Sequence, residues 1–522
     1  MVTRKTLQMR SALALAFIFL LVTPAIYSQE NSGSTVSIEA DRTATSSGSN
    51  SATAELPAAP EAKKDTAPQG PPGPPPFHYE GPLAPVGKSL NSMGISPSIT
   101  FIQFWLGNPS EGLATGQWQN MSLIDYGLEL DMKKIAKVPG GTIHFHELFV
   151  PLVHNTGKFG EYAADIFGGQ PGPFIPVESH LTRFTWEQHL GEDRLQFEFG
   201  KANAGDWYAI PVCNTNFGCQ SLMTQYDGGM GEMPTPYAEF LGRVRFNATK
   251  KLSVDVAEWR STGMFPWTDG WEGGKTNISP APGHAPYFRT DSNVYLLDVQ
   301  YKSATTAKYP GSFEGAYFHN TAKQNCEMST GTGYCNPVKD YHNGTNGMYA
   351  AGRQTFYRFD GGRPGPPRAV TAFAQLNQSF DSTNVSGLTT DFKTGFFVSG
   401  LFKDRPIDSY GFNIWTAHVT NDEQAWLKQE YATYFPGKTY NVPRTEVAIG
   451  PDANLVFKNV ILSPFALYTF NANPFMNPSF GLAPGADPLP GGTTGKISNG
   501  WGVGATLVIL VDKIFGLGPA MF

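Results

Sequence analysis

Trp501-Gly502-Val503-Gly504-Ala505-Thr506-Leu507-Val508-Ile509-Leu510-Val511-Asp512 is the stretch that decides the fold. Trp501, Val503, Ala505, Leu507, Ile509 and Val511 form one apolar face. Gly502, Gly504, Thr506, Val508, Leu510 and Asp512 form another that is small or polar at its two ends. Roughly 11 residues at about 3.3 Å each match a tilted, membrane-spanning β-strand. The chain ends shortly afterwards on the aromatic Phe522.

Working outward, the same period recurs. Tyr126, Leu128, Leu130 and Met132 alternate with Asp125, Gly127, Glu129 and Asp131, and Leu195, Phe197 and Phe199 with Gln196, Glu198 and Gly200. Leu252, Val254 and Val256 alternate with Ser253, Asp255 and Ala257. Tyr295, Leu297, Val299 and Tyr301 alternate with Leu296, Asp298, Gln300 and Lys302. Period two also describes strands of a soluble sandwich. Two features favour the membrane: aromatics stand at strand ends, and the opposite faces carry full charge. A Lys or Arg facing lipid at mid-bilayer costs roughly 2–4 kcal/mol, so Asp298, Gln300 and Lys302 are expected inside a lumen and Leu297 and Val299 outside.

Residues 1–28 read as a secretory signal, with Arg4, Lys5 and Arg10 before an apolar run from Ala12 to Val22. No other run approaches the roughly 18 apolar residues of a membrane helix. Unpaired backbone groups are prohibitive in lipid, so a membrane form of this chain must be a closed barrel. The charged fraction is 16% and the net charge −6, with signs interspersed. That excludes nucleic acid as a partner, which requires a basic stripe. Aromatic residues make up 13% of the chain, in keeping with girdles at two membrane interfaces.

Residues 29–86 are low in complexity, a Ser/Thr/Ala tract followed by Pro68 to Pro76, and are expected to be a disordered, partly stiff periplasmic linker. From Gly87 to Phe522 no domain boundary appears. Strands separated by alternating short and long connections suit an all-β, antiparallel transmembrane barrel of about 16 strands. The expected extracellular loops are Ala204–Tyr237, Thr262–Asp291, Asn320–Gly347 and Asn471–Asn499.

The four cysteines form two local pairs, Cys213/Cys219 and Cys326/Cys335, in loop-like stretches of an exported chain. They are expected to form two short disulfides. His144 and His146 share a strand face without an evident third ligand, so a polar lumen wall is expected there and no metal or other cofactor. No G-x-S-x-G or triad pattern stands out, and an enzyme is not expected. The charged ring of the pore is expected to comprise Arg183, Glu187, Glu198, Lys201, Arg243 and Arg245, with Trp207 and Trp259 as surfaces on which sugar rings stack.

Several segments together resemble the OprB-type carbohydrate-selective porins. They include Gly107-Asn108-Pro109-Ser110, Tyr126-Gly127-Leu128-Glu129-Leu130-Asp131 and Gly140-Gly141-Thr142-Ile143-His144. Further on come Trp186-Glu187-Gln188, Phe199-Gly200-Lys201-Ala202-Asn203, Gly352-Arg353-Gln354-Thr355-Phe356-Tyr357-Arg358 and Phe373-Ala374-Gln375-Leu376. Arg444-Thr445-Glu446, Leu462-Ser463-Pro464-Phe465 and Asn471-Ala472-Asn473-Pro474 complete the series. The resemblance implies a 16-stranded barrel in the Gram-negative outer membrane, passing monosaccharides, glucose above all, by diffusion through a charged and aromatic constriction. It further implies surrounding lipid and lipopolysaccharide, the barrel assembly machinery as a partner, and room for a homo-oligomer. A general small-solute porin of the same fold, or a secreted carbohydrate-binding sandwich or enzyme, are the alternatives. Lys513 to Met521 lies between the last strand and Phe522, an unusual ending for such a barrel.

Overall fold

The computed structural model describes residues 78–168, 179–208, 212–215, 238–262, 291–303, 307–325, 341–361, 368–380, 388–486 and 488–519. The expected signal and the linker up to residue 77 lie outside these.

Among the described residues, antiparallel strands close into one barrel in chain order, the first pairing with the last. They begin with β1 (Ile95–Asn108), β2 (Gln117–Asp131), β3 (Gly141–His154) and β4 (Ser179–Leu190). Next come β5 (Leu195–Ala202), β6 (Glu239–Asn247), β7 (Leu252–Thr262) and β8 (Asp291–Lys302). Then follow β9 (Gly311–Asn325), β10 (Tyr341–Arg358), β11 (Ala369–Ser379) and β12 (Leu388–Ser399). The series ends with β13 (Ser409–Val419), β14 (Thr445–Phe457), β15 (Val460–Phe470) and β16 (Gly500–Leu510). Closure runs from Thr100 opposite Leu510 to Gly107 opposite Val503. It leaves no open sheet edge. No helix among the described residues is long and apolar enough to cross a membrane.

Alternation sets the two faces. On β8, Tyr295, Leu297, Val299 and Tyr301 are exposed on the outer wall, whereas Asp298 and Gln300 are buried inside. Lys302 shares their face but is exposed at the short-turn end of the strand. On β16, Trp501 is exposed and Gly502 is pressed against Glu111 of the β1–β2 loop.

One loop boundary differs from expectation. Strand pairing continues past Asn320 to Asn325 and resumes at Tyr341, so the Asn320–Gly347 stretch is partly strand. Its Asn, Thr and Gly content hides the pairing. Gly344, at φ 72°, supplies the left-handed conformation of a bulge between Asn343 and Thr345.

At the short-turn end, helix α1 (Ala84–Met93) begins within the expected linker and packs on α5 (Val511–Phe515). The Leu83 amide donates to the Phe515 carbonyl at 2.8 Å. A Cβ on Gly87 would lie 2.2 Å from the Gly516 carbonyl oxygen, so only glycine permits this approach. Helix α2 (Met132–Ala136) caps the β2–β3 turn.

The described part of the β3–β4 connection enters the lumen. Helix α3 (Thr156–Ala163) leads to Ile166 and Phe167, which pack on Leu388, Trp415, Ala448 and Leu467 of the β12–β15 wall. Glu446 on β14 fixes that loop by accepting the amides of Ile166 at 3.1 Å and Phe167 at 2.8 Å. Helix α4 (Asn421–Tyr434), capped by Thr420 on the Glu423 amide, forms the β13–β14 connection.

Candidate functional site

Between β5 and β6 the chain leaves the wall and crosses the lumen. A single turn at Ala204–Asp206, capped by the Asn203 side chain on the Gly205 amide at 2.8 Å, aims Trp207 and Tyr208 at the β4–β8 wall. Trp207 is 4% exposed and Tyr208 fully buried. They join an apolar cluster with Leu241, Trp259, Leu296, Phe318 and Phe373, which holds the loop to the inner wall by burial. The loop's Asn214 and Thr215 reach β14, donating to Asp452 at 2.9 and 3.2 Å. In the strand order β13 and β14 lie half-way round the barrel from β5 and β6. The loop therefore spans the bore.

The first foot stands in a charged network. The guanidiniums of Arg183 and Arg243 lie over the Trp207 indole, 4.9 and 4.7 Å from its ring centre. Glu198 accepts from Arg183 Nη2 at 2.6 Å and from Arg243 Nε at 3.0 Å. Asp255 accepts from Arg243 Nη1 at 3.1 Å, Arg245 Nε at 2.9 Å and the Tyr208 hydroxyl at 2.9 Å. Gln300 donates to the Trp207 carbonyl at 3.1 Å. Within these pairs each buried charge meets an opposite one, which offsets the cost of taking it out of water. Burial and the Asp255 carboxylate raise the Tyr208 hydroxyl well above its ordinary range. Burial pushes the Asp206 carboxyl up to about 6, against the pull of Arg183.

The network continues along β2–β4. His144 lies between Glu129 and Glu187, with nitrogen–oxygen separations of 3.5 and 3.3 Å, and His189 also contacts Glu187. His146 faces Asp125 at 3.6 Å. His144, Glu187 and Glu198 are close enough to suggest a metal cluster. Both Glu198 oxygens are already held by guanidinium groups, however, and two cations beside the cluster oppose a third.

Of the expected site residues, Arg183, Glu187, Glu198, Arg243 and Arg245 are thus brought together on the inner wall. Lys201 is not among them. It lies opposite Phe184 and stacks on Phe240 at 5.0 Å, two residues from the exposed Phe199. Three residues from Glu198, it must face outward, because side chains alternate along a strand. Trp207 and Trp259 also differ from expectation. Guanidiniums cover Trp207, and Trp259 is 1% exposed beneath Tyr208 at 6.0 Å and 16°, so neither offers a free face to a sugar. Sequence reasoning missed Asp206 and Asp452, which acquire roles only through the loop's crossing. Cys213 is disulfide-bonded; Cys219, Cys326 and Cys335 lie outside the described residues.

A family model described as "Carbohydrate-selective porin, OprB family" matches residues 119–450, well over half the chain. The chain belongs to the OprB family. It is accordingly a carbohydrate porin and not an enzyme, and family and fold together imply the outer membrane. The high-pH structure of Pseudomonas putida OprB matches with a TM-score of 0.63 at 17% identity, covering 81% of this chain and 95% of that one. The low-pH structure of the same protein gives 0.46 at 13% identity, covering 83% and 99%. A comparison with curated protein sequences found no match.

Proposed function

We propose that this OprB-family barrel passes single sugar rings, glucose among them, by passive diffusion, and discriminates against larger sugars where the β5–β6 loop crosses the bore. The observation that carries this reading is the crossing itself, from Trp207 beside Arg183 to Asn214 on Asp452. Arg183, Glu187, Asp206 and Arg245 border the passage, while Glu198 and Arg243, more deeply buried, hold them in place. Charges of both signs, fixed in pairs, hydrogen-bond sugar hydroxyls without trapping an ion, and weak multi-site contact lets the solute leave as readily as it enters. Recognition at this point is by hydrogen bonds rather than ring stacking, because both tryptophans are covered.

Liposome swelling with monosaccharides, disaccharides, amino acids and salts tests the reading. Swelling should be fastest with monosaccharides and several-fold slower with disaccharides. Arg243→Ala with Arg245→Ala should narrow that gap and shift ion preference toward cations. Equal rates for amino acids and monosaccharides of similar size would instead identify a general small-solute porin.

A further inference from the structure

Arg183, Arg243 and Arg245 on the inner wall meet Glu198 or Asp255, and Arg358, on the same inner face at the short-turn end of β10, meets Asp360 at 2.8 Å. Arg353 of β10 differs. It is half-buried on the inner face, between the buried Ala351 and Thr355. Among the described residues no carboxylate lies within ion-pair distance of its guanidinium, and no carbonyl or hydroxyl accepts from it. Glu314, the acid nearest in register, stands opposite Ala351 and does not reach it. Ser312 of β9 and Phe373 of β11 lie directly across from Arg353. Next along the face, the Thr355 and Thr371 hydroxyls are 2.9 Å apart. Ala351 and Phe373 belong to the apolar cluster on which the β5–β6 loop rests. Because β10 runs toward its short turn, Arg353, two residues beyond Ala351, stands on the short-turn side of the crossing.

We propose that Arg353 is a binding station for anionic monosaccharides, sugar rings that carry a carboxylate or a phosphate, just past the crossing loop. A guanidinium presents five N–H donors in a planar fork and no acceptor, and it meets a carboxylate or phosphate through two parallel hydrogen bonds. A neutral hydroxyl brings no charge to offset the cost of a half-buried cation, whereas an acid group does. At the crossing, fixed pairs offer a solute both signs together; Arg353 offers one sign alone. Ser312 and Thr355 flank it and supply hydroxyls to the rest of the same ring. One fixed charge holds an anion weakly enough to release it, as passage requires. The inference rests on the reading of this barrel as a sugar porin, and adds a charged class of substrate to the neutral rings.

Uptake of labelled glucose, glucuronate and glucose 6-phosphate into proteoliposomes of the full chain tests this, with heat-modifiable migration confirming the folded barrel. The wild type should admit glucuronate. In Arg353→Gln the ratio of glucuronate to glucose uptake should fall several-fold, because a charged donor is lost. Arg353→Lys, which keeps the charge without the fork, should lie between the two. A larger loss for glucose 6-phosphate than for glucuronate would support the station with phosphate as its preferred group, and the reverse would support it with carboxylate. Reversal potentials between potassium chloride and potassium glucuronate should show a greater loss for glucuronate than for chloride. If Arg353→Gln fails to fold, Arg353→Met takes its place with the same fall expected. Unchanged ratios in the folded variants, or equal losses for chloride and glucuronate, overturn the inference while leaving glucose passage intact. Wild-type barrels that exclude glucose would instead overturn the sugar-porin reading itself, and the inference with it.

Discussion

The two feet of the β5–β6 loop are anchored by different physics. At the β4–β8 wall, Trp207 lies against two guanidiniums whose charges are neutralised by Glu198 and Asp255, and the adjoining Tyr208 joins a large apolar cluster. At the β13–β14 wall, Asn214 and Thr215 hold one carboxylate, Asp452, which Asn413 also supports at 3.0 Å. Among the described residues of the loop, Val212 and Cys213 beside that foot belong to the same apolar cluster as Trp207 and Tyr208. The first anchor therefore combines area with electrostatics, whereas the second is a directional hydrogen-bond latch. A crossing held so unequally should loosen from its amide end first.

Trp207→Ala should have the largest effect. It removes a buried indole, about 3–5 kcal/mol in a packed core, and with it the ring on which both arginines rest. Single-channel conductance should rise several-fold and sugar discrimination should fall; unchanged conductance in folded barrels would place the passage elsewhere. Asp452→Ala should act less. Losing hydrogen bonds to a charged acceptor costs about 1–3 kcal/mol, so the loop should stay near its first foot. Current traces should become noisier with little change in mean conductance, whereas a gain matching that of Trp207→Ala would show the latch to be the main anchor.

The smallest effect is expected from acidity. With its carboxyl raised to about 6 by burial, Asp206 takes up a proton as pH falls through that value. The passage then loses one negative charge, and preference for cations should decline between about pH 7 and about pH 5. Because the shift is upward, the residue favours the inserted loop most at low pH and less as pH rises past 6. Asp206→Asn should abolish this dependence in reversal-potential measurements. A midpoint near 6 that survives the substitution would assign the titration to another group.

The barrel itself was legible because its cause is local. Leu297 and Val299 against Asp298 and Gln300 reveal two faces within a few residues, and neither lipid nor water tolerates the reverse arrangement. Lys201 misled because its charge suggested the pore, although its spacing from Glu198 already placed it outside. The far end of β9 and the start of β10 were hidden because outward polar groups pair there, Tyr317 donating to Asn346 at 2.8 Å beside His319. Asp206, Asp452 and the covering of Trp207 and Trp259 depend on where a loop lands half-way round the barrel. No local pattern encodes that landing.

The seating of the first helix on the last bears on the order of assembly. Leu83 and Gly87 rest on the backbone of Phe515, Gly516 and Leu517, so α1 has no seat until the chain beyond β16 has been delivered. An N-terminal segment made first must wait for residues made last. Its docking therefore depends on the closing strand and the residues beyond it being in place.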